Sequence, residues 1–486
     1  MASRTRKIFS LASQITLLCL TVTLTPRTVF AQTTPAEIRK LAATEQSQSA
    51  IASLRKRGKP AIAALIELAK NEKEPQKSRL FAITALGELN AKTATPVLTD
   101  AIDNNSKEIR LAALAALSKL EEPGKDAIPS VVAALKDKDA DIRIGAAQAL
   151  GNFGSAAKDV VQDLINALSD SNRTVQVKAI NAIAAIGTDA KPAIPALTDA
   201  INAPEREVRL AAIVALSKLG QDAKSAVPVL AQLLADPDSE IRMKTASTLG
   251  TLGSDASGAV MQLRQALQHP DRLTRYFAAI ALGRIGAGAK LAVPELTTAL
   301  KDPDKDVRSS AASALGRIGL EARSALPELV NALKDDNLSV RVAAASSVGR
   351  LAGVLQDKAA KLTAADLVVA YSTLETALPI LEDPKALFNE EVTATVRRSL
   401  SVLKNEKDSR LFERVFEWSQ ANPAIAAMAA YILVMPSVWL VVLLIRPIWL
   451  LKLNDILKPY TDFEVPIPLG SNVKIPLRFV LFISWL

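Results

Sequence analysis

Counted from Arg308, the apolar residues Val307, Ala311, Ala314, Leu315 and Ile318 fall at the spacing of one helix face. The matching places around Arg143 hold Ile142, Ala146, Ala149, Leu150 and Phe153, so this side is predicted to be core and its alanines to allow close helix approach. Ser309, Ser310, Ser313 and Arg317 occupy the columns one, two, five and nine residues after the arginine and are predicted to face solvent, as are Gln148 and Asn181 elsewhere. Ahead of each such helix lies a shorter apolar segment, as at 325–333, with proline in its first turn, where a fixed φ and a missing N–H cost nothing. A turn rich in Asp, Pro and Asn joins the two, as at 301–304. No segment shows the alternation of a strand, and the predicted class is all-α.

The unit repeats. Arg110, Arg143, Arg209, Arg242, Arg275, Arg308 and Arg341 lie on one 33-residue grid, with Gln176 in the missing place and Arg79 two residues off register. Pro96, Pro129, Pro195, Pro228, Pro294 and Pro327 share a second column. Gly154, Gly187, Gly220, Gly253, Gly286 and Gly319 share a third and are predicted to stop the second helix in the left-handed conformation. A fixed period of this size denotes a stacked array, one elongated body rather than several globular cores. Its boundaries are predicted at 58–352, preceded by an N-terminal cap over 32–57, read as one helical stretch from Thr34 to Arg57. A C-terminal cap over 353–408 follows, with helices near 363–381 and 385–404 and a separate short charged helix over 410–420.

The motif Asp-x-Asp-x-x-Val-Arg-x-x-Ala-Ala-x-Ala-Leu-Gly-x-Ile-Gly at 302–319 resembles the HEAT repeat in the short form of the phycobilisome-lyase-like type. Its period is shorter than the usual HEAT or armadillo range, and ankyrin and tetratricopeptide signatures are absent. The resemblance covers about 58–352, some nine units, and implies a right-handed α-solenoid with the second helices on the concave side, followed here by a transmembrane helix. It implies no activity. It also implies that the recurring acids Asp137, Asp170, Asp236, Asp302 and Asp335 and the grid arginines join adjacent repeats by hydrogen-bonded ion pairs, Arg308 to the preceding repeat.

The termini suggest a membrane. Residues 1–31 carry three positive charges by Lys7, an apolar run from Ile8 to about Leu24 and the small residue Ala31, which reads as a secretory signal cut before Gln32; an uncleaved anchor is the alternative. The 22 residues from Ala424 to Ile445 contain no charge, enough to span a bilayer, and Tyr431, Trp439, Trp449 and Arg446 flank or line them. The repeats are thus expected outside the cytosol and the tail 446–486 inside. That tail is either interfacial or leads to a further module, in which case the array is a sensor.

Net charge is +9, but Arg4, Arg6, Lys7 and Arg27 account for four of it with no acid among them, which leaves +5 for the rest and no support for nucleic-acid binding. The lone Cys19 lies in the leader, so no thiol chemistry is expected after cleavage. His269 is alone, whereas deoxyhypusine hydroxylase, another HEAT-like protein, would need several His-Glu pairs for iron. No phosphate-binding loop is present, and the Gly-Arg-Ile-Gly and Leu-Gly runs read as helix ends. The expectation is a non-enzymatic scaffold for a protein partner, without cofactor or metal, with a bilin-lyase-like protein as the alternative. Tyr276 and Phe277 are the candidate anchors, with Lys244, Arg284 and Arg317 as a polar rim. Whether both rings are exposed, or Phe277 tucks against the next repeat, the residues alone leave open.

Overall fold

The computed structural model describes residues 34–43, 47–120, 126–384, 388–422, 464–466 and 474–476. The predicted leader 1–31 and membrane span 424–445 lie outside these residues. Two units divide the chain after Ser347.

In the first unit, α1 (Pro35–Ala43) and α2 (Ser47–Arg57) precede the helix pairs, over the stretch where an N-terminal cap is expected. The single helical stretch expected there is thus two helices. Helix pairs then follow: α3 (Lys59–Lys70) with α4 (Gln76–Glu88), α5 (Thr95–Asp100) with α6 (Lys107–Leu117), and α7 (Ala127–Ala134) with α8 (Ala140–Phe153). The series continues with α9 (Val161–Ala167) and α10 (Arg173–Ile186), α11 (Ile194–Ala200) and α12 (Arg206–Leu219), and α13 (Val227–Gln232) and α14 (Ser239–Leu252). It ends with α15 (Val260–Ala266) and α16 (Arg272–Ile285), α17 (Val293–Ala299) and α18 (Lys305–Ile318), and α19 (Leu326–Ala332) and α20 (Leu338–Asp357), the last of which crosses the boundary between the units. Nine pairs are seen among the described residues, and the array is an α-solenoid.

Local chemistry explains each pair. Pro195, Pro228, Pro294 and Pro327 sit in the first turn of the short helices. The long helices start on Asp139, Asn172, Asp238, Asp271 and Asp304, whose side chains accept from main-chain N–H groups of the first turn. They stop at glycine, although not in the αL form expected from sequence. Gly319 has φ 73° and ψ −138°, and Gly187 has φ 79° and ψ −141°, in the region open to glycine because it lacks a Cβ. From there the chain turns directly into a seven-residue 3-10 stretch, Gly319–Ala325 after α18, that delivers the next proline helix. Position 352, eleven residues after Arg341, is alanine, and α20 runs on to Asp357. The 14-residue period of the long helix is lost where its stop signal is lost.

Val307, Ala311, Ala314, Leu315 and Ile318 are all buried, as are their counterparts from Ile142 to Phe153. A further column packs more tightly. Gly316 and Gly283 are not helix ends: each lies eight residues after its arginine, inside a long helix and against the next one. A Cβ on Gly283 would sit 2.8 Å from the Cα of Ala314, and one on Gly316 would sit 2.8 Å from the Cα of Ser347. Gly87, Gly151 and Gly250 face Ala116, Ala182 and Ala281 in the same way, at 2.6, 3.3 and 3.2 Å. Thr248 and Ser347, which stand in the facing column, donate across the contact to the carbonyls of Ile213 and Ala312, at 3.4 and 2.8 Å.

The second unit contains α21 (Ala364–Leu381), capped by Thr363, and α22 (Glu390–Ala421). The latter is one 32-residue helix in place of the two expected over 385–404 and 410–420, because no proline or glycine interrupts it. Residues 464–466 and 474–476 pair as a short antiparallel ribbon, a departure from the all-α expectation. Three residues per strand, bounded by prolines, are too few to show alternation. Three described segments, Arg272–Ala299, Leu338–Asp357 and Ala364–Leu381, are long and apolar enough to cross a membrane by length and composition. The first of these comprises two packed helices of the array, separated by Gly286 and its 3-10 stretch.

The glycine contact is open to test. Gly→Ala inside a helix normally gains about 1 kcal/mol, yet Gly283→Ala is expected to cost about 1–3 kcal/mol through overpacking against Ala314. A lower denaturation midpoint is the expected result, and a raised one would show that the helices simply separate.

Candidate functional site

The grid arginine does two jobs. Nη1 of Arg308 donates to the carbonyls of Asp302 and Pro303 in the turn before its own helix, at 3.0 and 3.2 Å. Nε and Nη2 of the same side chain form a fork on Asp335, at 2.8 and 2.9 Å. Asp335 stands 27 residues later, so the pair joins Arg308 to the following repeat and not to the preceding one. The reason is geometric: the acid of the arginine's own turn, Asp302, offers its carbonyl there and turns its carboxylate to Arg275 instead. Arg275 grips Asp302 at 2.7 and 3.0 Å, and Arg143 grips Asp170 at 2.6 and 2.9 Å. Each acid also accepts from the main-chain N–H of the following cap residue, as Asp302 does from Asp304 at 2.9 Å.

The exceptions are informative. Gln176 keeps the turn bond, donating to the Asp170 carbonyl at 2.7 Å. Twenty-seven residues after it stands Ala203, so cation and acid are lost together. Arg242 faces His269 at the acid place and bonds instead to Thr274 (2.9 Å) and Asp271 (3.2 Å). Nδ1 of His269 takes over the acceptor role, receiving the Asp271 N–H at 3.0 Å. Arg110 lies 3.4 Å from Asp137 as an ion pair. Arg209 holds the carbonyls of Ala203 and Pro204, both at 2.9 Å, but its Nε is buried without a partner among the described residues and no ion pair joins it to Asp236. Arg341 donates to the carbonyls of Asp335 and Asp336, and the offset Arg79 to that of Ala69. The arrangement holds backbone and neighbour together and leaves no exposed cation row for a ligand along this column.

The presumed solvent columns divide. Only the place nine residues after the arginine is exposed throughout, at Lys119, Asn152, Ala185, Lys218, Thr251, Arg284, Arg317 and Arg350. Ser309, Ser310 and Ser313 are half-buried, because neighbouring long helices cover their flanks. The first column, moreover, is mostly apolar: Leu111, Ile144, Val177, Leu210, Met243, Tyr276 and Val342, with Ser309 as the exception. Tyr276 therefore continues a ridge of mostly apolar residues. It meets Phe277 edge to face, with centroids 5.0 Å apart, and both rings are half-buried. Lys244 is also half-buried.

Arg284 and Arg317 are exposed, each at the last turn of its helix, and neither has an ion-pair partner among the described residues. The Cδ of Arg284 lies over Gly250 of the preceding repeat, so its stem is supported while its guanidinium is free. No hydrogen bond or ion pair joins Lys244, Arg284 or Arg317 to the ring pair. Among the described residues no group of three or more His, Cys, Asp and Glu could hold a metal.

A profile of HEAT repeats matches residues 62–151, 106–165, 128–217, 194–262, 227–293, 260–347 and 293–366. The chain belongs to the HEAT-repeat family. Among solved structures it is similar to an engineered protein from a structural genomics consortium, at 22% identity and TM-score 0.48, over 76% of this chain and 98% of that one. It is also similar to Kap95p in a study of its binding to RanGDP (14% identity, TM-score 0.48, 76% of this chain and 55% of that one). A third is importin beta (16% identity, TM-score 0.47, 79% and 59%). The chain thus spans little more than half the length of the Kap95p and importin beta chains. No curated protein matches it.

Two predictions concern the ladder. Arg308→Ala is expected to lower stability by about 2–3 kcal/mol. The Arg308→Ala, Asp335→Ala double change should cost less than the sum of the single ones in a double-mutant cycle, and additive costs would dissolve the pair. The Arg143 guanidinium holds the Asp170 carboxyl below its usual range, against the burial that would raise it. A lowered folded value adds stability that is full above the ordinary carboxylate value of about 3.9 and is lost as pH falls through the lower folded value. Asp170→Asn should therefore flatten the acid side of the melting-temperature profile.

Proposed function

We propose that this chain is a membrane-anchored scaffold that binds a protein partner outside the cytosol on the face of its long helices. The observation that carries the reading is the split among the arginines: Arg143, Arg275 and Arg308 are spent on Asp170, Asp302 and Asp335, whereas Arg284 and Arg317 stand exposed and unpaired among the described residues. Seven residues of the same helix separate Arg284 from Phe277, so a partner segment carrying an acid beside an apolar side chain could meet both. A rigid array orders such contacts in advance and spends little entropy on binding. The short period of the repeats supports the phycobilisome-lyase-like form and a right-handed superhelix with this face inward. The basic, apolar start of the chain and the uncharged run at 424–445 support the anchor, the repeats lying outside and 446–486 inside.

Arg284→Glu with Arg317→Glu is expected to abolish capture of the partner from solubilised membranes at unchanged melting temperature. Tyr276→Ala with Phe277→Ser should weaken it less, since both rings are half-buried. Capture indifferent to the charge reversal would place the partner on another face. External protease should digest the repeats in spheroplasts, and their protection would reverse the topology.

A further inference from the structure

Among the described residues, the last three turns of α22 have nothing to pack on. Leu403 is the last buried residue of the helix, and Arg410 is its last tie to the rest of the unit, donating to the carbonyls of Leu362, Ala359 and Ala360 at 2.8, 3.1 and 3.0 Å. Every residue from Leu411 to Trp418 is exposed, Phe412 by 70% and Phe416 by 53%. Around a helix of 3.6 residues per turn, Trp418, Leu411, Val415, Phe412 and Phe416 occupy one continuous arc of about 160°. Ser419 falls within that arc and turns its hydroxyl to the Phe416 carbonyl, at 2.7 Å. Arg410, Glu413, Arg414, Glu417 and Gln420 hold the opposite side. Phe412 and Phe416 stack with centroids 6.2 Å apart. Three turns of helix are marginal in water on their own, and a wide apolar face on such a segment requires a cover.

We propose that this face, Leu411 to Trp418, lies in the headgroup boundary of a lipid bilayer, on the side of the membrane that carries the repeats. The inference rests on the anchor reading above. Only five residues lie between Trp418 and the uncharged run starting at Ala424, at most about 22 Å even fully extended, so a bilayer that takes up 424–445 also comes within reach of the aromatic face. An arc this broad exceeds the narrow seam of a two-stranded coiled coil, which argues for lipid over a second copy of the chain. Aromatic side chains, tryptophan above all, favour that boundary. Two arginines and two glutamates cancel on the outer side, so insertion is apolar in origin and should be the same in neutral and in anionic vesicles.

The test uses the full-length chain in a Cys19→Ser background, which leaves no other cysteine. Spin labels are placed singly by Phe412→Cys, Phe416→Cys, Glu413→Cys, Glu417→Cys and, within the uncharged run, Val434→Cys. The protein is reconstituted in phosphatidylcholine vesicles and in mixed phosphatidylcholine and phosphatidylglycerol vesicles. Labels at 412 and 416 should be several-fold more accessible to oxygen than to an aqueous nickel chelate in both, those at 413 and 417 the reverse, and 434 deep. A deep label at 434 with aqueous labels at 412 and 416 overturns the inference and spares the anchor. An aqueous label at 434 overturns the anchor and this inference with it. Dipolar broadening between labels at 412 shows a second copy on the face and also overturns it.

Discussion

The close approach of one long helix to the next is the constraint on which the array depends. At Gly283 against Ala314 there is no room for a Cβ, and the same small-on-small contact recurs at Gly87, Gly151, Gly250 and Gly316. Helices held this near bring each arginine within reach of the acid one repeat on. A guanidinium fork has a fixed shape, so a separation larger by one methyl group would leave the side chain its turn carbonyls and no carboxylate. Arg209 approaches that condition, with its Nε buried and unpartnered, while the helix it belongs to carries Ser217 where Gly283 and Gly316 stand elsewhere. Packing comes first and the ion pair follows from it.

That order also explains which substitutions the array absorbs. Gln176 with Ala203 dispenses with a pair at the cost of two groups that would otherwise be left half-buried and opposed by nothing. His269 replaces an aspartate and keeps one part of its role, since an imidazole nitrogen accepts the next cap's N–H as a carboxylate oxygen does elsewhere. The turn bond to the carbonyl six residues back survives in every grid position from Arg110 to Arg341, glutamine and histidine repeats included.

Helix pairs and core columns were legible because period, proline and glycine each have one local meaning. The glycine stops were legible as stops but not in conformation, since positive φ is shared by αL and by the region Gly319 adopts, and only the 3-10 continuation separates the two. Gly283 and Gly316 resemble ends in the sequence because a glycine three residues from a true stop looks redundant. Their interior position costs the helix about 1 kcal/mol each, and that cost was the available signal of a tight contact. The direction of the ladder was not legible. An acid six residues before one arginine is also 27 after another, and spacing alone does not choose between them. Ser309 is unrepresentative of its column for a different reason: Leu111, Ile144, Val177 and Leu210 make that column apolar.

What distinguishes this chain from any regular solenoid is where the repeat rule lapses. An array satisfies its own polar groups and could extend without limit, so a partner can recognise only what the period leaves over. Arg284 and Arg317 are left over because Thr251 and Arg350 flank them in their column, where Lys119 has Glu88 for a partner, and the stretch after Arg410 is left over because α22 outruns the helices that support it. Ala352 stands at the origin of the second case. Without glycine there, α20 continues past the grid, no further proline helix is delivered, and the chain passes into two longer helices of which the last ends close to its uncharged run. One missing stop thereby ends the repeat, and the last helix of the second unit leaves Leu411, Phe412, Val415, Phe416 and Trp418 exposed.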